Sequence, residues 1–202
     1  MAVSLDEIKK LKELTGVGLT DAKKALVEAD GDFDKALAAM REKGLTKAEK
    51  RGEREAKEGL IDSYVHGGRI GVLVELNCET DFVARTDDFK NLAHDIALQV
   101  ASMSPKWVSR DNVPEEEIAR KRDELIAAAQ ADPKNASKPA DVLDKIITGQ
   151  LDKYFEELIL SEQSFWKDDD KKVGDLVKEA GAKLGENIVI RQFKRIELGV
   201  SE

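Results

Sequence analysis

Asn77-Cys78-Glu79-Thr80-Asp81-Phe82-Val83-Ala84-Arg85 is the stretch on which the fold turns, because an apolar strand gives way to a helix inside it. Upstream, Ile70, Val72, Val74 and Leu76 alternate with the two-residue period of a half-buried strand. Downstream, Phe89, Leu92, Ala93, Ile96 and Val100 recur at helical spacing. Thr80 and Asp81 are both good N-cap types, so the junction falls near them, and one helix is expected from there to just before Pro105. Phe82 lies in the first turn of that helix. It either packs inward or projects from a rigid support, and the spacing leaves both open.

Working outward, Leu60–Val65 and Ile70–Leu76 flank His66-Gly67-Gly68-Arg69, where Gly-Gly is a strong hairpin signal because it tolerates positive φ. Residues 1–45 read as three short helices. Ser4 and Glu7 have the spacing of a capping box for the first, whose stripe is Leu5, Ile8, Leu11 and Leu14. Gly16 and Gly18 break it. Ala22, Ala25, Leu26 and Ala29 form the second stripe. Asp30-Gly31-Asp32 turns and caps the third, carried by Phe33, Ala36, Leu37 and Met40, with Gly44 as its stop. Residues 46–58 are strongly charged and read as a linker, with Thr46 able to cap a short solvated helix. A core unit is then expected over 59–202.

Within that unit Pro114, followed by Glu115, Glu116 and Glu117, marks another helix start. Residues 130–139 read as a loop, and a helix follows from about Ala140 to Leu160. Ser161–Trp166 is expected to be extended or irregular, with Phe165 and Trp166 as core or interface anchors. Asp168-Asp169-Asp170 reads as a solvated turn. Helix returns over Val173–Leu184, and Ile188–Leu198 closes the chain as a strand whose edge, if unpaired, can pair with another subunit. The expected class is α+β: three N-terminal helices followed by a core with an antiparallel sheet.

Composition narrows the function. The chain has 202 residues, 37% of them charged, with a net charge of −8. It lacks the basic footprint of a general nucleic-acid binder, so no direct nucleic-acid contact is expected. A single cysteine, Cys78, excludes an internal disulfide and a cysteine-based zinc site. No run approaches the ~20 apolar residues of a membrane helix. The sequence opens Met-Ala-Val-Ser-Leu-Asp-Glu, without a basic-then-apolar leader pattern, so a cytoplasmic protein is expected.

Covalent chemistry finds little support. His66 and His94 sit in different settings without placed partners. Cys78 has Glu79 and Asp81 as neighbours, and acids raise rather than lower a thiol pKa. Gly16-x-Gly18 lacks the lysine and preceding strand of a phosphate loop. Neither a cofactor nor a metal site is expected, and the chain does not read as an enzyme.

Three motifs carry a resemblance. Thr80-Asp81-Phe82-Val83, Leu14-Thr15-Gly16-Val17-Gly18-Leu19-Thr20-Asp21-Ala22-Lys23-Lys24-Ala25-Leu26 and Leu184-Gly185-Glu186-Asn187-Ile188-Val189-Ile190-Arg191 resemble, in order, those of translation elongation factor Ts, the guanine-nucleotide exchange factor of elongation factor Tu. The match spans essentially the whole chain. It implies a ubiquitin-associated (UBA-like) three-helix domain ahead of an α+β core. It also implies that Thr80, Asp81, Phe82 and Val83 displace Mg²⁺ from GDP-bound elongation factor Tu, with Phe82 as a wedge and Asp81 bringing charge near the nucleotide. On the N-terminal domain, Lys12, Leu19, Thr20 and Lys23 become the partner contact. Where this chain has Thr20, family members often carry a large apolar residue such as methionine, which reduces the apolar anchor here. Leu19 stands off the second stripe and suits core or interface. Shorter members resemble this chain in having one core subdomain where longer ones have two, so a homodimer is one way to supply the second.

Two rivals remain at this stage. A three-helix domain that binds ubiquitin-like partners would make the protein an adaptor. A metal-dependent hydrolase using Glu79, Asp81 and Asp87 is the second rival.

Overall fold

The computed structural model describes residues 3–15, 17–42, 51–132 and 138–200. Gly16, the Gly44 stop, the Thr46 cap, the charged stretch up to Lys50 and the middle of the 130–139 loop lie outside the described residues. Three helices come first: α1 (Leu5–Thr15), α2 (Leu19–Glu28) and α3 (Phe33–Glu42). The capping box forms: Ser4 Oγ accepts the Glu7 N–H at 3.1 Å, while the Glu7 carboxylate accepts the Ser4 N–H at 3.1 Å. Asp32 caps α3 by accepting the Lys35 N–H at 3.0 Å. Ile8, Leu11, Ala22, Leu26, Ala36 and Met40 close a small core of their own. Leu5 and Leu14, expected in the first stripe, are instead exposed at 69% and 58%. A stripe on so short a helix faces two neighbours along a narrow band, and its two ends overshoot them.

The rest is an α+β core. Strands β1 (Glu58–His66), β2 (Ile70–Cys78) and β5 (Val189–Glu197) form an antiparallel sheet in the order β1-β2-β5. β1 therefore opens inside the stretch read as linker, at Glu58. Gly67 and Gly68, with φ of 54° and 68°, make the tight turn, in which the Arg69 N–H donates to the His66 carbonyl at 2.9 Å. Val72, Val74, Leu76 and Cys78 point to the buried face of β2, as the alternation predicts.

The single helix expected after Thr80 is two. Helix α4 (Asp81–Ala84) is one turn, and α5 (Asp87–Met103) restarts after Arg85 and Thr86. Each half has its own cap: Thr80 accepts the Val83 N–H at 3.4 Å, and Thr86 accepts the Phe89 N–H at 3.3 Å. The second threonine, with extended backbone at φ −68° and ψ 149°, interrupts the helix and makes a corner between α4 and α5. Phe89, Leu92, Ala93, Ile96, Ala97 and Val100 then bury on the sheet, with Leu160, Phe165, Val173, Val177, Ile188 and Ile190 closing the same core.

Helices α6 (Glu115–Ala131) and α7 (Ala140–Leu158) pair as a hairpin, anchored by Val113, Leu151, Phe155 and Ile159. After a short 3₁₀ turn, β3 (Ser164–Phe165) and β4 (Asp168–Lys172) form a two-stranded ribbon, and α8 (Val173–Leu184) leads to β5. The acidic run is thus the start of β4 and not a turn. All three aspartates are exposed, while Lys171 and Lys172 next to them bridge to Glu179 and Glu156. Phe165 is buried, and Trp166 is 42% exposed with its indole N–H donating to the Asp95 carbonyl. No described helix is long and apolar enough to cross a membrane.

Candidate functional site

The junction after β2 carries the most exposed large hydrophobic side chain among the described residues. Val83 packs against the main core and Ala84 is buried, so the one-turn helix α4 is tied down along its inner side. That leaves Phe82 on the outer side, 79% exposed. An exposed phenyl ring on a rigid, core-anchored turn keeps its apolar area available to something outside the subunit. The choice left open by the spacing resolves toward projection, while Thr80 caps as well.

Asp81 stands beside it. Its carboxylate meets the Arg85 guanidinium at 2.7 Å, one helical turn on, in a pair whose side chains are 46% and 76% exposed. Solvent screens such a pair to about 0–1 kcal/mol. The acid can therefore exchange Arg85 for another partner at small cost.

Beneath α4 lies a lattice of hydrogen bonds that the sequence does not announce. Glu186 Oε2 accepts the N–H groups of Glu79 and Thr80, each at 3.0 Å, and its Oε1 accepts the Thr80 hydroxyl at 2.6 Å. In return, Glu79 Oε1 accepts the Asn187 N–H at 2.6 Å. The Asn187 amide donates to the carbonyls of Arg54, at 2.7 Å, and Gly52, at 3.2 Å. Arg54 also meets Glu79 at 3.3 Å. Two of the three motifs read from the sequence are thus one structural unit, and Gly185–Asn187 is a loop that grips the junction ahead of β5.

Cys78 ends β2 beneath this unit, fully buried, with its thiol donating to the Thr80 carbonyl at 3.1 Å. Burial, then the nearby Glu186 carboxylate, push its pKa up to about 11. A thiol held protonated at neutral pH is no nucleophile. Glu79 is engaged by Arg54 and Asn187, and Asp81 by Arg85. Among the described residues no group of three or more His, Cys, Asp or Glu side chains could hold a metal ion.

The N-terminal candidates stand on a different surface. Lys12, Leu19, Thr20 and Lys23 are all exposed, Leu19 at 48%. Leu19 opens α2 behind Gly18, whose extended backbone caps the helix without a side chain. Leu14, near the end of α1, is exposed as well, although the apolar stripe predicts it in the core.

The family model described as Elongation factor TS matches residues 4–200. Elongation factor Ts of Herpetosiphon aurantiacus is 49% identical over 200 residues, covering 98% of this chain and 99% of that one. Elongation factor Ts of Thermotoga neapolitana is 52% identical over 200 residues, covering 98% of each chain. Elongation factor Ts of Moorella thermoacetica is 50% identical over 198 residues, covering 98% of this chain and 96% of its own.

Proposed function

The chain belongs to the elongation factor Ts family, whose role is nucleotide exchange in translation elongation, and on that premise we propose that it binds elongation factor Tu·GDP and expels GDP by unseating Mg²⁺. Phe82 is the wedge, Asp81 carries the charge, and Thr80 and Val83 hold the turn that presents them. The exposure of Phe82 on a turn anchored to the core by Val83 and Ala84 is the observation that carries this reading.

The energetics require no covalent step. Bound Mg²⁺ neutralises the nucleotide's phosphate charge and fixes the switch elements around it. A factor that binds the form with misplaced metal ligands removes that stabilisation, and GDP leaves faster. Reciprocity then holds: whatever ratio the factor takes from GDP affinity, GDP takes from the factor's affinity. A coupling of ~4 kcal/mol corresponds to roughly a thousandfold change.

The second contact is formed by Lys12, Leu19, Thr20 and Lys23, with Leu19 as apolar anchor and the lysines as charge partners. We read residues 1–45 and 59–202 as two folding units joined by 46–58, in a protein that works in the cytoplasm without touching nucleic acid. A second copy of the chain completes the assembly. Ile61, Val65, Leu73 and Ile196 share the outer sheet face by register and are each more than half exposed, which supports a homodimer through that face.

Labelled-GDP dissociation from purified elongation factor Tu, with and without this protein, tests the reading. Acceleration at substoichiometric protein is expected. An unchanged dissociation rate would overturn it.

A further inference from the structure

Helix α4 has four residues, far below the ~12 at which an isolated helix becomes even marginal in water. Its cap bond from the Val83 N–H to Thr80 is long, at 3.4 Å. The direction in which Phe82 points is therefore set from two sides, by the packing of Val83 and Ala84 on the core and by whatever holds the backbone just before the helix. That role falls to Glu186, which takes two successive backbone N–H groups and the capping hydroxyl on one carboxylate. The Thr80 hydroxyl joins the clamp to the cap, donating to Glu186 and accepting from Val83. Hydrogen bonds to an ionised acceptor are roughly twice as strong as neutral ones.

Glu186 is itself fixed. Gly185, with φ of 80°, ends α8 in the left-handed conformation and turns the chain back on the helix. The return is so close that a Cβ at Gly181 would lie 2.9 Å from the Glu186 carbonyl oxygen. The neighbouring Asn187 is bonded to Glu79, Gly52 and Arg54. The carboxylate is thus presented by a loop with little freedom of its own.

We propose that Glu186 is a positioning residue for nucleotide exchange: its clamp on Glu79 and Thr80 aims Phe82 and Asp81, and without it the wedge is carried on the protein but misdirected. This rests on the wedge reading of Phe82. Thr80 is exposed and Glu79 half-buried, so water can replace the clamp's bonds without unfolding the chain. The loss then falls on orientation, where an ångström of misplacement is enough to cost about a hundredfold in rate.

The test uses the full-length protein and its variants Glu186→Ala, Glu186→Gln and Phe82→Ala, with labelled-GDP release from the partner GTPase measured over a range of factor concentrations. Glu186→Ala is expected to lower the maximal release rate by about tenfold or more, with the half-saturating concentration within about twofold of the parent. Glu186→Gln keeps the size and one acceptor oxygen, so an intermediate rate is expected. It also serves as the reading should the alanine variant fail to fold. Full maximal rate in both Glu186 variants, with Phe82→Ala inactive, overturns the positioning role and leaves the wedge standing. Full rate in Phe82→Ala overturns both. A raised half-saturating concentration at unchanged maximal rate would make Glu186 a binding contact and also overturn the proposal.

Discussion

Phe82 and Phe89 stand on either side of the Thr86 cap with opposite environments, the first 79% exposed and the second wholly buried beneath the sheet. The corner at Arg85–Thr86 produces that difference, since it separates a presenting turn from a packing helix. Phe82→Ala should leave stability within about 0.5 kcal/mol of the parent, as surface changes do. Phe89→Ala should cost ~3–5 kcal/mol through the cavity it leaves. Urea denaturation gives both numbers, and only the first variant should lose exchange activity while remaining fully folded.

Asp81 offers a second separation of function from stability. Its pair with Arg85 is exposed on both sides, so Asp81→Ala should change unfolding free energy by less than about 1 kcal/mol. The same substitution should slow factor-stimulated GDP release. Stopped-flow traces read beside melting curves check it. A full stimulated rate would remove Asp81 from the mechanism.

Much of this was legible in the chain. The Gly-Gly hairpin, the Ser4–Glu7 box and the Thr80 cap are local devices, and local devices can be read from neighbouring residues. The second cap at Thr86 follows the same chemistry, but the continuous apolar stripe from Phe89 masks it, because a stripe records burial and not direction. The β3–β4 ribbon was hidden for another reason. Asp168–Asp170 has poor strand propensity, and only pairing with Ser164–Phe165 makes it extended. The Glu186 clamp lies 106 residues from Thr80. No spacing rule connects two polar residues that far apart, although both fell within motifs already singled out.

Cys78 yields a pH prediction. Its thiol pKa is raised in the fold from the ordinary 9.0 to about 11, so the folded state favours the neutral form. The associated stability is fully present below about pH 9 and is lost as pH rises through about 11. The stability difference between the parent and Cys78→Ala should therefore shrink across that window, as measured by denaturant titration at matched ionic strength. A difference independent of pH would show that the buried thiol does not resist ionisation. At neutral pH the folded protein should react with thiol reagents far more slowly than the denatured chain.

The outer sheet face gives a test of self-association. Leu73 is 52% exposed and Ile196 72% exposed on that face. Leu73→Glu and Ile196→Lys should shift sedimentation toward the monomer while leaving the thermal melt of the core nearly unchanged. Identical sedimentation of parent and variants would place any dimer elsewhere.

Magnesium dependence tests the central claim most directly. Labelled-GDP release from elongation factor Tu is followed at millimolar Mg²⁺ and again in excess chelator, each with and without this protein. Displacement of the metal predicts strong acceleration in the first condition and a much smaller one in the second, where the ion is already gone. The same fold-acceleration in both would contradict it.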